Sequence, residues 1–281
     1  MKSTNFEFEY PRILSIAGSD SGGGAGIQAD LKTFSALGCF GMTAITAITA
    51  QNTIGVSSIH SVPPEMLQYQ IDAVMEDIGA DALKVGMLNV PETVMTVANS
   101  IDKYLIKLVV FDPVMVATSG AVLIDEKAID VLVQEMFPRS TVITPNLDEA
   151  SLLVGKPLKS KKDMKAAAIK LCQMGAKSVL VKGGHLEGDI VFDLLLDSSG
   201  HEHWFEGVRI QSPNTHGTGC TLSSAIAAHL ATGQTLIDSV SMARIFVREA
   251  LSTGAFVKTG EGSGPLNHFH SPMKMHLKRL H

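Results

Sequence analysis

A glycine-rich segment, N-T-H-G-T-G-C-T, occupies residues 214–221 and leads into an apolar run of small residues, 222–228. A glycine-rich loop that opens a helix leaves backbone N–H groups unpaired, and the helix dipole adds partial positive charge there. Such a place holds anions, and a transferring phosphoryl group is the anion that it predicts. The same field favours the thiolate of Cys220 at the end of the loop. A helix that simply begins after a tight glycine turn is the alternative.

A second glycine-rich segment, 18–26, follows a short apolar run and precedes a helical pattern. Its spacing does not fit the dinucleotide-binding fingerprint, because Gly22 and Gly24 would require a glycine at position 27, which is Ile27. The acidic residue expected about 20 positions further on is also missing. No G-x-x-x-x-G-K-S/T loop occurs in the chain. The sequence therefore disfavours both a Rossmann dehydrogenase and a P-loop enzyme.

The composition limits the classes of function. The chain has 281 residues, of which 45% are hydrophobic, and a net charge of −5, which fits one large globular domain. Lysine and arginine are scattered, so no nucleic-acid partner is expected. No apolar run reaches the roughly 20 residues of a membrane helix, and Met1–Tyr10 lacks the features of a signal peptide. Three widely spaced cysteines without a C-x-x-C pair favour the cytoplasm and argue against a zinc site.

Short apolar runs rich in β-branched residues alternate with helical patterns along most of the chain. The predicted strands are 13–17, 42–50, 82–86, 108–111, 141–144 and 178–182. The predicted helices are 26–37, 64–75, 92–105, 128–136 and 163–174. Strands that are apolar throughout and are each followed by a helix indicate a parallel sheet covered on both faces. Residues 190–210 differ, because they predict a hairpin that turns near 198–200.

The pattern predicts an α/β fold with a doubly wound, mostly parallel central sheet and helices on both faces. In such sheets, ligands bind outside the carboxyl ends of the strands. Polar and glycine-rich residues follow the predicted strands at 18–20, 51–52, 86–87, 112–113, 146, 183–185 and 214–220. We therefore expect the active site at this edge of the sheet.

Eight segments, in order, resemble the hydroxymethylpyrimidine/phosphomethylpyrimidine kinases of thiamine synthesis, which are members of the ribokinase-like superfamily. They are A-G-S-D-S-G-G-G-A-G-I-Q-A-D-L-K-T-F (17–34), I-T-A-Q-N-T (48–53), K-V-G-M-L (84–88), D-P-V-M (112–115), T-P-N-L-D-E-A (144–150), V-K-G-G-H (181–185), N-T-H-G-T-G-C-T-L-S-S-A-I-A-A (214–228) and G-P-L-N-H-F-H (264–270). The resemblance implies one kinase domain over 1–281, with an N-terminal extension (1–11) and a basic, loosely ordered C-terminal tail (271–281).

The resemblance implies catalytic roles for the glycine-rich loop at 214–221. Cys220 stands where most ribokinase-like sugar kinases carry an aspartate base, so a thiolate would take the proton. Gly217, Thr218 and Gly219 would donate backbone N–H groups to the moving phosphoryl oxygens. An inert, buried Cys220 is the alternative, and it is the interpretation that we prefer for Cys39 and Cys172.

The resemblance also implies ATP and Mg²⁺. Asn146 and Glu149 match an N-x-x-E element that organises the metal, and Asp112 is a second metal candidate near the phosphates. A helix cap with an acidic first turn would use Asn146 and Glu149 equally well. Lys182 matches a lysine near the nucleotide phosphates, although a lysine that ends a strand can also simply extend to solvent.

A substrate pocket is implied on the other side of the loop. Asp30 and Gln51 resemble the pair that binds the pyrimidine through matched donors and acceptors. Gly18 and Val114 would line the same pocket, and Met87 would pack on the ring or belong to the core. Related kinases that prefer pyridoxal carry methionine at the position of Gln51, so Gln51 indicates the aminopyrimidine alcohol.

Residues 117–120 correspond to a flap over the substrate, within a possible lid at 112–120. Many relatives carry lysine where this chain has Thr118, which weakens the expectation of the second phosphorylation. The small-molecule partners implied are the aminopyrimidine alcohol and its monophosphate, and a homodimer is expected. A pyridoxal or dual-specificity kinase is the first rival, and a non-catalytic pyrimidine-binding protein is the second.

Overall fold

A computed structural model describes residues 6–115 and 124–280. Its strands are β1 (Phe8–Glu9), β2 (Arg12–Asp20), β3 (Phe40–Gln51), β4 (Val56–Ser61), β5 (Ala82–Val85), β6 (Val109–Phe111), β7 (Val142–Ile143), β8 (Ser178–Lys182), β9 (Ile190–Asp197), β10 (Glu202–Val208) and β11 (Lys278–Arg279). Its helices are α1 (Gly26–Ala36), α2 (Pro64–Asp77), α3 (Pro91–Lys103), α4 (Glu126–Met136), α5 (Leu147–Val154), α6 (Lys161–Gln173), α7 (Thr218–Ala231) and α8 (Leu236–Gly254).

Nine of the described strands form the central sheet in the order β10-β9-β8-β7-β6-β5-β2-β3-β4. The six strands from β8 to β3 in this order run parallel, and β4, β9 and β10 add antiparallel edges. The predicted mostly parallel sheet and the predicted hairpin, β9–β10, are therefore confirmed. The strand β4 and the helix α8 were not predicted.

Alternating side chains of the parallel strands bury two separate hydrophobic cores. Leu14, Leu83 and Val109 face one core, which is closed by α2 to α6. Ile13, Ala82 and Val110 face the other core, which includes α1, α7 and α8. Because neighbouring residues of one strand point to opposite faces, a strand that is buried on both faces must be apolar throughout. Helices on both faces confirm the predicted doubly wound architecture.

The chain moves from β2 outwards to β3 and β4, and then crosses to β5 on the other side of β2. This reversal of strand order opens a crevice at the carboxyl ends of β2 and β5, where such folds bind ligands. The helix α7 packs against β2, β5 and β6 and begins at the same edge. The fold thus brings the two glycine-rich segments together at this crevice.

The end of the chain packs against its beginning. The strand β11 pairs with β1, and the backbone N–H groups of Met273 and His276 donate to the carbonyls of Ala36 and Gly38. The Lys278 ammonium lies 2.7 Å from Asp81 Oδ1. The loosely ordered tail that the sequence predicts for 271–281 is therefore wrong for the part that the structure describes, because backbone pairing and an ion pair fix it.

Candidate active site

The loop before α7 places the N-terminus of this helix at the crevice. Gly217 is the N-cap residue with φ of 84°, and a Cβ there would lie 1.8 Å from the Gly24 carbonyl oxygen. Only glycine fits this left-handed position and close approach. The N–H of Thr218 donates to the Thr215 carbonyl at 3.2 Å, so its predicted donation to an oxyanion stays a prediction and would require this bond to be shared or broken. Gly219 faces the crevice beside Lys182 and Asp112.

Lys182 and Asp112 form an ion pair at the start of α7, in which Asp112 is buried and the Lys182 side chain is 13% exposed. Lys182 Nζ lies 2.8 Å from Asp112 Oδ1, which also accepts from Thr144, and the Ser223 hydroxyl lies 3.3 Å from Oδ2. Burial raises the pKa of Asp112, but Lys182 and Lys84 outweigh it and hold the pKa below its usual value. The pair therefore places a fixed cation beside Gly219.

Asn146 and Glu149 form a reciprocal capping box at the N-terminus of α5. Asn146 Oδ1 accepts from the Glu149 N–H at 2.9 Å, and Glu149 Oε2 accepts from the Asn146 N–H at 2.7 Å. The cap interpretation is therefore confirmed. Burial raises the pKa of Glu149 to about 7, against the lowering effect of Lys182. No group of three or more histidine, cysteine, aspartate or glutamate side chains within 6–115 and 124–280 could hold a metal by itself.

Cys220 lies in the first turn of α7. Desolvation raises the pKa of its thiol to about 11, although Lys84 acts in the opposite direction. Desolvation thus opposes the thiolate that the helix dipole predicts, and the role of Cys220 as a base stays a prediction. Cys39 is buried as expected, and Cys172 is partly buried.

Asp30 lies beneath the crevice and has no exposed surface. Its Oδ1 accepts from Ser224 at 2.6 Å, and its Oδ2 accepts from Ser15 at 2.5 Å and from Lys84 at 2.9 Å. The alternative of an ordinary exposed helix residue is therefore wrong. The predicted contact with a pyrimidine stays a prediction, and it would have to share an oxygen with one of these donors.

Gly18 and Met87 meet where β2 and β5 end. A Cβ on Gly18 would lie 2.6 Å from the Met87 Cε, and Met87 is buried. Val114 is half-buried just after β6, and its N–H donates to the Asp112 carbonyl. The structure thus places Gly18 and Met87 in contact, and it sets Val114 beside the Asp112 backbone. Thr118 and the rest of 117–120 lie outside the described residues.

Asp20 and His216, which were not predicted as site residues, join the two glycine-rich segments. His216 Nε2 lies 2.8 Å from Asp20 Oδ2 and 3.3 Å from Gln51 Nε2. A Cβ on Gly24 would lie 2.4 Å from His216 Cδ2, so the glycine makes room for the ring. Both residues stand inside quoted motifs, and polar residues among conformationally required glycines are the signal that could have indicated them.

Arg209 was also missed, and it fixes the loop that follows Lys182. Its guanidinium donates to the carbonyls of Gly184 at 2.7 Å and Gly188 at 2.9 Å, and also to that of Leu186. The beginning of the loop is held separately, because Asp193 accepts from the Gly183 N–H and from Arg244. Nothing in the sequence around Arg209 indicates this contact, which depends on the β9–β10 hairpin.

A cavity of about 250 Å³ opens beside the Asn214 end of the loop. It is lined by Pro213, Asn214 and residues 255–262. Asn214 supports its wall by donating to the carbonyls of Gly254 and Val257, both at 2.7 Å. The cavity is therefore adjacent to the start of α7, where an anion would bind.

None of the described helices combines the length and the apolar character that a membrane-spanning segment requires.

Comparison with known proteins places this site in a family. A sequence model of the phosphomethylpyrimidine kinase family matches residues 20–267. The hydroxymethylpyrimidine/phosphomethylpyrimidine kinase of Rhizobium meliloti is 48% identical over 258 residues, which cover 92% of this chain and 96% of the relative. A bifunctional thiamine biosynthesis protein of Geobacter sulfurreducens is 47% identical, and the chain spans only 53% of its length.

Solved structures agree on the fold. A phosphomethylpyrimidine kinase from Clostridium difficile is 42% identical, with a TM-score of 0.75, and the match covers 85% of this chain and 98% of that one. The ADP complex of a Bacillus subtilis pyridoxal kinase is 36% identical, with a TM-score of 0.85 over 92% of this chain and 98% of that one. The chain is a ribokinase-like kinase and belongs to the phosphomethylpyrimidine kinase family.

Proposed function

We propose that this protein phosphorylates 4-amino-5-hydroxymethyl-2-methylpyrimidine on its hydroxymethyl group, with ATP as donor, and then phosphorylates the monophosphate to the diphosphate. The observation that carries the proposal is the placement of Lys182 and Asp112 beside Gly219, in the first turn of α7. The names of the relatives from Rhizobium meliloti and Bacillus subtilis support this choice of substrate. We also propose that one domain extends over 1–281.

The donor nucleotide would enter from the Asn214 side. Its base and sugar would lie in the cavity lined by residues 255–262, and its phosphates would extend toward Gly217 and Gly219. The unpaired N–H groups of the first turn of α7 and the Lys182 ammonium would hold the phosphate oxygens. Arg209 would hold the adjacent loop, 183–188, in place through its hydrogen bonds to the carbonyls of Gly184 and Gly188.

The residues present fit Mg²⁺ only if substrate phosphates and water supply most of its ligands, which is the usual arrangement for this ion. Glu149 would contribute one carboxylate, because Oε2 alone serves its capping box. Asp112 fits the role of a ligand less well than the sequence predicts, since its Oδ1 already accepts from Lys182 and Thr144. When bound, Mg²⁺ would neutralise phosphate charge, and Asp112 would position Lys182.

The acceptor alcohol would lie on the opposite side of Cys220. Met87 and Val114 would contact the ring, Gly18 would allow its close approach, and Asp30 and Gln51 would satisfy its polar atoms. Phosphoryl transfer passes through a loose transition state, in which positioning and charge neutralisation contribute most. A neutral Cys220 thiol would therefore orient the hydroxyl group, and the hydroxyl proton would pass late in the transfer to an oxygen of the transferred phosphoryl group.

The pyridoxal kinase alternative rests on structural neighbours such as the Staphylococcus aureus enzyme, which is 33% identical. Gln51 favours the aminopyrimidine, since its amide matches polar ring atoms. A non-catalytic binding protein is disfavoured by the retained Lys182, Glu149 and Cys220.

Two further features belong to the proposal. A homodimer is supported by apolar side chains exposed at the β3–β4 edge and on α2, where Ile48 is 52% and Tyr69 66% exposed. A cytoplasmic location is supported by the three free cysteines, Cys39, Cys172 and Cys220.

Phosphorus NMR of the products tests the proposed reaction. With MgATP and the aminopyrimidine alcohol, the monophosphate should form first and the diphosphate should follow. Accumulation of the monophosphate alone would confine the proposal to the first step. Absence of any phosphorylated pyrimidine would refute it.

A further inference from the structure

The Asp20 carboxylate is saturated by hydrogen-bond donors. Its Oδ1 accepts from the Gly22 N–H at 2.8 Å. Its Oδ2 accepts from the N–H groups of Gly24 at 3.0 Å and Ala25 at 2.9 Å, and it faces His216 Nε2 at 2.8 Å. A carboxylate surrounded in this way is ionised and can only accept. His216 Nε2 therefore carries a proton and donates it to Asp20.

The hydroxyl proton of Thr49 also has a fixed acceptor. Its Oγ1 lies 2.9 Å from the Ser19 carbonyl oxygen, which can only accept. Thr49 must therefore donate to Ser19. Towards Gln51, whose Oε1 lies 3.1 Å away, Thr49 Oγ1 can only accept.

The proton positions on His216 and Thr49 determine which way the Gln51 amide is oriented between these two residues. With Nε2 facing His216 at 3.3 Å and Oε1 facing Thr49, a donor meets a donor and an acceptor meets an acceptor. Rotation of the amide by half a turn converts both contacts into hydrogen bonds. Oε1 then shares the His216 Nε2 proton with Asp20 Oδ2, Nε2 donates to Thr49, and no donor faces a donor.

We infer that His216, held by Asp20, and Thr49, held by Ser19, lock the Gln51 amide with its oxygen toward His216, so that Gln51 presents an N–H donor to the substrate. One proton of Nε2 goes to Thr49, and the other is left for a ligand. The matching group is an unprotonated ring nitrogen, which an aminopyrimidine supplies. The inference rests on the proposed function, and it makes His216 and Thr49 positioning residues that determine specificity.

Calorimetric binding of 4-amino-2,5-dimethylpyrimidine, which lacks the reactive hydroxyl, tests this inference without turnover. Thr49→Val removes the acceptor for Gln51, whereas Thr49→Ser keeps it. His216→Phe removes the donor, whereas His216→Gln keeps an N–H group near the position of Nε2. We expect Thr49→Val and His216→Phe each to weaken binding about tenfold, which is the loss of one well-placed hydrogen bond, and the two conservative variants to retain most of the affinity.

A double-mutant cycle separates positioning from a general effect on the loops. In the Gln51→Met background, the amide is gone, so Thr49→Val and His216→Phe should cost no further affinity for the pyrimidine. Equal losses in the wild-type and Gln51→Met backgrounds would overturn the inference. So would an unchanged affinity of both single variants.

Analogues in which one ring nitrogen at a time is replaced by C–H test the direction of the hydrogen bond between Gln51 and the ring. One replacement should weaken binding to the wild-type protein about tenfold and leave binding to Gln51→Met unchanged. If every replacement affects both proteins equally, Gln51 does not donate to the ring. Turnover of the natural alcohol by the wild-type protein, measured alongside, separates this result from a failure of the proposed function.

Discussion

Asp30 and Lys84 form an ion pair of 2.9 Å in which neither side chain has any exposed surface. The pair joins α1 to β5 beneath the crevice, and Ser15 and Ser224 satisfy the remaining positions on the carboxylate. A buried pair of this kind is retained only when both charges are compensated. The floor of the proposed substrate pocket therefore depends on two residues that are distant in sequence.

Removal of the Lys84 charge is expected to destabilise the fold. Lys84→Met would leave the Asp30 carboxylate buried without its cation, which costs about 3–5 kcal/mol in comparable cases. The free energy of unfolding in urea measures this loss. Lys103→Met is the matched control, because Lys103 also forms a 2.9 Å ion pair, with Asp72, but is half exposed, and its loss should change the free energy of unfolding far less. Equal losses in the two variants would contradict the account.

Cys220 is expected to act without a preformed thiolate. Because burial raises the pKa of its thiol to about 11, iodoacetamide should modify it slowly at pH 7 and faster as the pH rises. Cys220→Ser should lower kcat by less than the roughly 100-fold that marks the loss of a general base. Cys172→Ser controls for a general effect of thiol removal. Fast modification at neutral pH, or a loss of kcat above 1,000-fold, would show instead that Cys220 acts as a thiolate base.

The charge of Glu149 should make the free protein less stable as the pH rises. Folding raises its pKa from 4.5 to about 7, so the folded state holds the proton more tightly than the unfolded state. The stabilisation that the protonated Glu149 gives to the folded state is therefore fully present below about pH 4.5 and is lost as the pH rises through about 7. Glu149→Gln keeps the cap acceptor and should remove this dependence, gaining up to about 3 kcal/mol over wild type above pH 7. Parallel stability curves for the two proteins across this range would contradict the assignment.

Arg209 is expected to affect the nucleotide more than the alcohol. Lysine cannot reach three carbonyls from one planar group, so Arg209→Lys should loosen the 183–188 loop. The KM for ATP should rise severalfold, about 1 kcal/mol, while the KM for the pyrimidine stays unchanged. Arg248→Lys is the control, since Arg248 donates to the Val208 carbonyl, next to Arg209, at 2.8 Å. Equal changes in both KM values would mean that Arg209 has only a structural role.

Much of the fold was predictable because parallel strands buried on both faces must be apolar throughout. Residues 13–17, 82–85 and 178–182 are mostly apolar, and they are strands in the structure. Ser15 and Lys84 are buried exceptions, and both donate to Asp30. The strand β4 does not follow this rule, because V-S-S-I-H-S is an edge strand that is largely exposed. The C-terminal segment was misjudged because its order comes from long-range pairing with β1 and Asp81, which no local pattern reveals.

The candidate site was predictable where residue type and position suffice. Lys182, Asp112 and Gly219 meet at the carboxyl edge, as their places after strands and before a helix indicate. The charge state of Cys220 was not predictable, because it depends on how deeply the thiol is buried. The contact between His216 and Gln51, which are 165 residues apart, is equally invisible to local reasoning.

The most direct test of the central claim compares kcat/KM of the wild-type protein for the aminopyrimidine alcohol and for pyridoxal, each as sole acceptor with MgATP. The account predicts that the pyrimidine is preferred by at least about tenfold, because the polar groups around Gln51 would be left unpaired by pyridoxal. The Gln51→Met variant should narrow this ratio. A wild-type protein that phosphorylates pyridoxal and leaves the pyrimidine untouched would contradict the account.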